Sequence, residues 1–304
     1  MRLGPHRRLF KMALRALIAA ASVTSAPALR AEVNPLQIVP CQATLSVADS
    51  DREAKWYERV LGFHETTHVQ RLPRFDRRTV DVPGYRIELL YLSGSSRPAT
   101  AARFAYQGYS HVVFQTPTLE TVYGHLLAEA VRIEPARDPT TGRLNHLTIW
   151  DAEDNEIEIF AAGSPSAGQD PANPLGLAPH HVAITVADMA AEMSWYSRVL
   201  GFVAAERFGS PSGLEGQFMD IPGYRLVLET KSGSTRLPEQ PAFLQQGYAH
   251  ITYQTRALNA DLDKLRTLGV SAQAVRNPHS KALLRVSFKD PESNEIEIVA
   301  AGSR

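Results

Sequence analysis

Histidine and glutamate side chains occur at matching places in two similar stretches of the chain. Both residue types bind divalent metals and move protons. His111 begins the apolar segment HVVF, and His250 begins the similar segment HITY. Glu158 and Glu297 follow in two NEIEI segments. A histidine at the start of a strand is more often structural, and a glutamate on a strand is more often solvated. Residue type alone therefore makes these four side chains only candidates for metal binding or proton transfer.

The matching places belong to a long internal repeat. Residues 42–164 return without a gap as residues 181–303. WYERVLGF, beginning at Trp56, returns as WYSRVLGF, beginning at Trp195, at an offset of 139 residues. VDVPGYR and DAEDNEIEIFAAGS return as MDIPGYR and DPESNEIEIVAAGS at the same offset. Differences between paired positions therefore indicate what each copy does on its own.

Length and composition limit the class of protein. A chain of 304 residues predicts about two domains, at roughly 100–200 residues each. The 32 basic and 32 acidic side chains are balanced, so no basic footprint for a nucleic acid is indicated. Cys41 is the single cysteine, which excludes an intrachain disulfide.

The N-terminal segment has the layout of an export signal. A basic start that includes Arg7 and Arg8 precedes an apolar run over residues 12–23 and a small-residue APA sequence. The apolar run is too short to span a bilayer, and the arginine pair resembles a twin-arginine export motif. We predict that residues 1–31 are a signal peptide, of the twin-arginine or the ordinary type. The mature chain is then periplasmic or extracellular, with no membrane span.

Each copy divides further into two βαβββ units, so the chain contains four. The first unit opens with the alternating run TLSV, followed by Asp49 as a helix N-cap and by apolar residues at helical spacing that stop at Gly62. Three extended segments follow, the last introduced by a Pro-Gly turn. HVVF then restarts the pattern. The fold class is α+β, with globular domains over 37–164 and 179–303 and a Pro/Gly/Ser-rich linker over 165–178.

These units resemble the vicinal oxygen chelate superfamily, which includes glyoxalase I, methylmalonyl-CoA epimerase, fosfomycin-resistance proteins and extradiol dioxygenases. The resemblance rests on four βαβββ units, an LGF after the first helix of each copy and a closing DxxxNEIEI strand, and it covers about nine tenths of the mature chain. It implies two tandem glyoxalase/dioxygenase-like domains. In this superfamily two units pair to form a cup of strands that holds a divalent metal.

The resemblance also implies the ligand positions, which lie at the starts of first strands and on last strands. The fourth position of the second copy is Val227, a residue that cannot bind a metal. Among these positions Glu158 and Glu297 are the candidate proton carriers. The candidate ligands are Gln42, Glu88, His111 and Glu158 in the first copy and His181, His250 and Glu297 in the second.

The two candidate ligand sets suit different metals. The first set resembles the Gln/Glu/His/Glu ligands of some glyoxalase I enzymes and would suit Ni, Zn, Mn or Mg. The second set is a two-histidine, one-carboxylate triad, which is usual for Fe(II) or Mn(II). The metal would chelate two substrate oxygens and stabilise an enediolate or enolate as a Lewis acid. Both sets therefore leave the identity of the divalent metal open.

The pairing of units decides which residues share a cup. The short linker and the duplication of a whole domain favour units 1 with 2 and 3 with 4. Units 1 with 4 and 2 with 3 are the alternative. That alternative would combine Gln42 and Glu88 with His250 and Glu297, and would leave His111 and Glu158 with His181.

Three functions are compatible with this sequence. The first is a metal-dependent lyase or isomerase of the glyoxalase or epimerase type. The second is an extradiol dioxygenase that uses His181, His250 and Glu297, although Ser287 stands where that family has a tyrosine. The third is a metal-free, resistance-type protein that binds a small molecule. In each case we expect a small-molecule partner and no nucleic acid, and the sequence is compatible with a homodimer.

Overall fold

The computed structural model describes residues 36–71, 73–98, 104–162, 173–210, 213–237 and 242–302. The proposed signal peptide and most of the proposed linker lie outside the described residues. Within these ranges, no helix is both long and apolar enough to cross a membrane.

The four predicted βαβββ units are confirmed. Unit 1 consists of β1 (Val39–Val47), α1 (Ser50–Leu61), β2 (His64–Arg71), β3 (Phe75–Val82) and β4 (Tyr85–Leu92). Unit 2 consists of β5 (Gly108–Thr116), α2 (Leu119–Ala128), β6 (Ile133–Arg137), β7 (Leu144–Trp150) and β8 (Glu156–Ala161). Unit 3 consists of β9 (Ala178–Thr185), α3 (Met189–Trp195), β10 (Val203–Gly209), β11 (Leu214–Ile221) and β12 (Tyr224–Lys231). Unit 4 consists of β13 (Gly247–Thr255), α4 (Leu258–Thr267), β14 (Ala272–Arg276), β15 (Leu283–Lys289) and β16 (Glu295–Ala300).

Helix α1 begins and ends where its sequence predicts. The Asp49 carboxylate accepts a hydrogen bond from the backbone N–H of Arg52 at 3.0 Å, which satisfies one of the free donors of the first turn. Gly62 ends the helix at φ +70°, a conformation that a side chain would strain. Trp56 and Tyr57 are buried and pack edge to face, so this helix anchors unit 1 in the core.

The units pair across the two copies of the repeat. One eight-stranded sheet, the first sheet, has the order β14-β15-β16-β13-β1-β4-β3-β2 and contains units 4 and 1. The second sheet has the order β10-β11-β12-β9-β5-β8-β7-β6 and contains units 3 and 2. The pairing that we favoured from the sequence, units 1 with 2 and 3 with 4, is therefore wrong, and the alternative is observed.

The short connection between the copies explains this outcome. Strand β8, which ends the first copy, and strand β9, which begins the second, lie in the same sheet with only β5 between them. A short connector suffices to join two strands so close together. The linker length therefore agrees with pairing units 2 and 3, and it does not require each copy to close on itself.

Each sheet has a pseudo-two-fold axis between its two central strands. In the first sheet β1 and β13 are antiparallel, with Gln42 opposite Thr252 and Thr44 opposite His250. The axis thus exchanges Gln42 with His250 and Thr44 with Thr252. Strands β4 and β16 flank this pair in parallel, with Glu88 beside Thr44 and Glu297 beside Thr252.

Hydrogen bonds between the sheets join the two halves into one molecule. The hydroxyl of Tyr109 donates to the backbone oxygen of Glu295 at 2.9 Å, and the hydroxyl of Tyr248 donates to that of Glu156 at 2.7 Å. Units 1 and 2 are also in contact, because the Glu153 carboxylate accepts from the backbone N–H of Asp49 at 2.8 Å. Each cup is therefore supported by residues from the other sheet.

Candidate active site

A cavity of about 910 Å³ opens on the first sheet, and we call it the first cup. Strands of unit 1 and unit 4 both line it, so neither copy of the repeat forms it alone. The lining combines apolar side chains with several charged ones. The polar and charged side chains that bear on its chemistry are Cys41, Gln42, Arg77, Glu88, His250, Arg285 and Glu297.

The first cup brings together four of the seven candidate ligands. Gln42 and Glu88 come from unit 1, on β1 and β4, and His250 and Glu297 come from unit 4, on β13 and β16. The pseudo-two-fold axis relates the two carboxylates to each other. The residue types are again Gln, Glu, His and Glu, but the histidine and the second glutamate come from unit 4, as the alternative pairing of units predicts.

Thr44 holds the unit 1 side of the cup. The Gln42 amide donates from Nε2 to the Thr44 hydroxyl at 3.1 Å, and that hydroxyl donates to Glu88 Oε2 at 3.0 Å. Thr44 is fully buried, so its hydroxyl position is fixed by packing. One threonine thereby orients both candidate ligands of this side.

The unit 4 side of the cup is a histidine and carboxylate pair. His250 Nε2 lies 3.5 Å from Glu297 Oε2, is buried and has no hydrogen-bond partner. Burial lowers the pKa of His250, but the carboxylates of Glu297, Glu88 and Glu295 act in the opposite direction and leave that pKa raised. An unpartnered buried nitrogen among carboxylates is a suitable ligand for a cation.

Two arginines hold the remaining carboxylate oxygens. Arg77 lies 3.6 Å from Glu88 Oε1, and Arg285 lies 3.0 Å from Glu297 Oε1. Burial raises the pKa of Glu297, but the nearby His250 and the charges of Arg285 and Arg77 offset this, so that the net pKa is lowered. Glu297 is therefore ionised at neutral pH.

The donors of the first cup fit a divalent metal in kind. Among the described residues, no group of three or more His, Cys, Asp and Glu side chains could hold a metal ion as the side chains stand. Glu88 Oε2 is engaged by Thr44, and a metal would have to replace that contact. Three oxygen donors and the unpartnered His250 nitrogen form a mixed set that suits Ni, Zn or Mn. The residues thus fit the group, provided that the side chains move.

The remaining candidate ligands meet on the second sheet, in a region that we call the second cup. His111 Nε2 and His146 Nε2 each lie 3.5 Å from Glu158 Oε2. The His181 ring lies 6.4 Å from that of His111, centroid to centroid. Val227, at the fourth ligand position, is buried.

Aromatic rings fill the second cup. The Phe160 ring stacks on His146 at 4.5 Å between centroids, and the Phe218 ring packs against His181 at 5.8 Å. The Phe208 ring covers Gly216 so closely that a Cβ there would lie 2.0 Å from a ring carbon. A side chain at residue 216 is therefore incompatible with this packing.

His180 and His181 in the second cup are neutral at neutral pH. Burial, together with the nearby charge of Arg225, lowers the pKa of His180 to about 4. Burial, together with the neighbouring His180 and His111, holds the pKa of His181 well below its usual value. His180 Nδ1 and His181 Nδ1 are 2.6 Å apart, so one of the two rings donates to the other.

The pairing of units corrects two sequence-based groupings. His181 lies on the second sheet, whereas His250 and Glu297 lie on the first, so the C-terminal triad expected for a dioxygenase is not assembled. Likewise, Gln42 and Glu88 are separated from His111 and Glu158. Neither copy of the repeat therefore forms a ligand set from its own residues.

Three side chains were missed by the sequence reasoning: Arg77, Arg285 and His146. The repeat contained the signal, because the offset pairs Arg77 with Gly216 and Arg285 with His146. An arginine in one copy is thus replaced by a glycine or a histidine in the other. Comparison of the two copies makes such differences visible. They were not recognised because only family ligand positions were compared.

Cys41 also lines the first cup but is not a nucleophile. Its thiol donates to the backbone oxygen of Thr252 at 3.3 Å. Burial raises the pKa of Cys41 to about 12, and Arg86 offsets this only in part. The thiol is therefore protonated at neutral pH, and the thiolate is the reactive form.

Residues 38–159 and 178–298 match the family model described as the Glyoxalase/Bleomycin resistance protein/Dioxygenase superfamily. The chain belongs to this superfamily. The comparison with curated proteins gives no match.

Solved structures show the same superfamily fold. A mutant of glyoxalase I from Zea mays superposes with a TM-score of 0.66 at 16% identity, covering 87% of this chain and 94% of that one. A proposed dioxygenase from Bacillus subtilis subsp. subtilis str. 168 superposes with a TM-score of 0.62 at 13% identity, covering 89% of this chain and 87% of that one. At these identities the likeness concerns the fold alone.

Proposed function

We propose that this superfamily member is a metal-dependent lyase or isomerase of the glyoxalase and epimerase type, and that the first cup is its working site. The observation that carries the proposal is the meeting of Gln42, Glu88, His250 and Glu297 at one cavity of about 910 Å³. A cavity of this size accommodates a small molecule.

Those four side chains would hold the metal, and two of them are positioned by a neighbour. Thr44 orients Gln42 and Glu88. A divalent metal supplies Lewis-acid polarisation of two adjacent substrate oxygens when it is bound. Partners of this kind, which fix the orientation of ligands, commonly change metal affinity by about 10–100-fold when they are removed.

The carboxylates supply the proton transfer that such a reaction requires. Glu297 is ionised at neutral pH and faces the cavity, so it can accept a proton from the substrate carbon beside a polarised carbonyl. Glu88 is its counterpart across the pseudo-two-fold axis and could return a proton on the opposite side of the substrate. Arg77 lies 3.6 Å from Glu88 and Arg285 lies 3.0 Å from Glu297, so each carboxylate has a cation beside it that favours its ionised form.

A metal-free binding protein is the second candidate, and one specific observation favours it. The two carboxylates among the candidate ligands of the first cup are already paired with arginines, at 3.6 Å for Glu88 and 3.0 Å for Glu297. A cup with paired charges is stable without a cation. Metal content separates this candidate from the enzyme.

The test is elemental analysis of the purified protein after reconstitution with Ni, Zn, Mn or Fe(II) under anaerobic conditions. His250→Ala is the decisive variant, and His111→Ala is its matched control, because the two histidines occupy the same place in the two copies. We expect near-stoichiometric metal in the wild type and in His111→Ala, and a loss of metal in His250→Ala. Metal bound equally by both variants would contradict a working first cup, and no metal in any preparation would favour the binding protein.

We also propose that residues 1–31 direct export, on the basis of their basic start and apolar run. Export would separate the protein from cytosolic glutathione and CoA thioesters, so a different substrate with adjacent oxygens is required. The N-terminus of the protein recovered from a periplasmic fraction, determined by mass spectrometry, tests this proposal. Recovery only from the cytoplasm with residues 1–31 intact would contradict it.

A further inference from the structure

Two arginines of the first cup have no role as metal ligands. Arg77 on β3 pairs in register with Leu90, two residues beyond Glu88 on β4. Arg285 on β15 pairs in the same way with Val299, two residues beyond Glu297 on β16. The pseudo-two-fold axis therefore exchanges the two arginines, and the first cup presents one on each side of the candidate ligands.

Arg77 and Arg285 both line the same cavity. The exposed fraction is 41% for the Arg77 side chain and 48% for the Arg285 side chain. Arg77 is in contact with Glu88, and its charge also contributes to the lowered pKa of Glu297 on the other side. Each guanidinium has five N–H donors. The Nε of Arg77 is buried and has no hydrogen-bond partner.

The charges of the lining change sign when a divalent cation is added. Arg86 is in contact with Asp81 at 3.2 Å, so this pair is internally balanced. Arg77 and Arg285 then face the carboxylates of Glu88 and Glu297 together with Glu295. With His250 neutral, as a metal ligand must be, this remainder has one excess negative charge without a metal and one excess positive charge with it. A metal-loaded first cup therefore attracts an anion.

The second cup shows that the fold does not need these arginines. Gly216 occupies the place of Arg77, and His146 occupies that of Arg285. An aromatic ring covers Gly216 at contact distance, so no cation is present at this place. The arginines accompany the open, polar cup and are absent from the filled one, which links them to ligand binding.

We propose that Arg77 and Arg285 form an anion clamp, and that the first cup takes a small carboxylic acid with a 2-hydroxy or 2-oxo group. The adjacent oxygens of this acid would meet the candidate metal ligands, and a second, distal carboxylate would meet the guanidinium groups. This inference rests on the proposed function for the position of the adjacent oxygens. Arginine suits the role because its planar fork of donors matches a carboxylate and forms two parallel hydrogen bonds.

The experiment compares two probes that differ only at the distal carboxylate, with and without bound metal. The probes are malate, which is a 2-hydroxy dicarboxylate, and its 4-amide, in which the distal carboxylate is replaced by a neutral carboxamide. Affinities are measured by calorimetric titration of the full chain. We expect the wild type to bind malate at least about tenfold more tightly than the amide, as a charge-assisted hydrogen bond to a carboxylate implies.

The variants are Arg77→Gln, Arg285→Gln and their combination. Arg207→Gln is the matched control, because Arg207 pairs with Glu215 at 3.6 Å, the distance of the Arg77 and Glu88 pair, but lies on the second sheet. We expect the double variant to lose the preference for malate over the amide while it keeps its metal content. The control should keep both the preference and the metal.

The possible outcomes separate the clamp from the proposed function. Metal binding without a preference for malate would overturn the clamp and leave the metal enzyme intact. An arginine-dependent preference in a protein that never binds metal would support the clamp and overturn the metal enzyme. Loss of the preference in the Arg207 control as well would overturn the clamp, because the effect would then be one of general charge.

Discussion

The first and second cups are built by corresponding strands in the same register, yet they hold different kinds of side chain. The first has Gln42, Glu88 and a buried threonine that orients them. The second has His181 and Val227 at the corresponding places, and aromatic rings fill it. In the first cup, a cavity of about 910 Å³ is lined by charged residues from both units.

The comparison teaches that a few positions decide between an open site and a packed core in this fold. The differences at Thr44, Arg77 and Glu88 remove a hydrogen bond donor, a cation and a carboxylate together. The corresponding residues in the second cup are Ala183, Gly216 and Val227. These changes belong together, since Thr44 donates a hydrogen bond to Glu88 and Arg77 lies 3.6 Å from Glu88.

The largest effect that we expect is on proton transfer. Glu297→Gln should slow turnover at least about 100-fold, because general base catalysis contributes about 10²–10⁴-fold. Glu158→Gln, its counterpart in the second cup, should stay within about threefold of the wild type. The measurement is deuterium exchange from solvent at the carbon beside the carbonyl of a panel of 2-oxo acids, followed by proton NMR. Equal effects of both substitutions would remove the functional distinction between the cups.

The next effect is on stability, from placing a carboxylate in the second cup. Val227→Glu should lower the free energy of unfolding by about 3 kcal/mol, because a buried charge would lack the threonine that orients Glu88 in the first cup. Val227→Gln is the neutral control and should cost less. Urea unfolding with and without added metal measures both. Recovery of stability by metal in Val227→Glu would show that the second cup remains able to bind a cation.

Acid should destabilise the protein through the second cup. The pKa of His180 is about 4 in the folded protein and about 6.5 in the unfolded chain. Because the folded value is depressed, its stabilising contribution is complete above pH 6.5 and is lost as the pH falls from 6.5 toward 4. The contribution is at most about 3 kcal/mol, since one pKa unit corresponds to about 1.4 kcal/mol. His180→Gln should therefore reduce the loss of stability between pH 7 and pH 4.5. The urea midpoint at each pH measures this loss. An unchanged loss in the variant would exclude His180 as its source.

The smallest effect is expected for the threonine that orients the ligands. Thr44→Val should weaken metal binding by about tenfold, as the removal of such a supporting group commonly does. Thr252→Val is the matched control, because Thr252 is buried at the place related by the pseudo-two-fold axis and its hydroxyl has no hydrogen-bond partner. Titration with the metal alone measures both. A similar loss in the two variants would argue against a specific role for Thr44.

The local structure could be predicted from the sequence because it depends on neighbouring residues. The cap at Asp49, the end of α1 at Gly62 and the four βαβββ units follow from patterns within a dozen positions, and all are confirmed. The pairing of units could not be predicted in this way. It depends on which edges meet between distant segments, and β1 carries the same alternating pattern whether its partner is β5 or β13.

The sequence indicates which positions are candidate ligands, but not which of them lie together in one cup. Each of the seven candidate ligands lies on one of the two cups, but their grouping follows the pairing of units. Arg285 gave no family signal, because its importance lies in its contact with Glu297 across neighbouring strands at 3.0 Å. Contacts of this kind become visible only once the register of β15 and β16 is known.

The pairing of units also sets the order in which the two cups can form as the chain is synthesised. In the second sheet Val112 meets Val182, within the middle of the chain, whereas in the first sheet Ala43 must meet Ile251 near the other end. Contacts between distant segments form slowly because a long loop must close first. The edge of β1 that pairs with β13 therefore stays unpaired until unit 4 has left the ribosome. A chain that stopped before β13 would complete the filled cup and lack the open one.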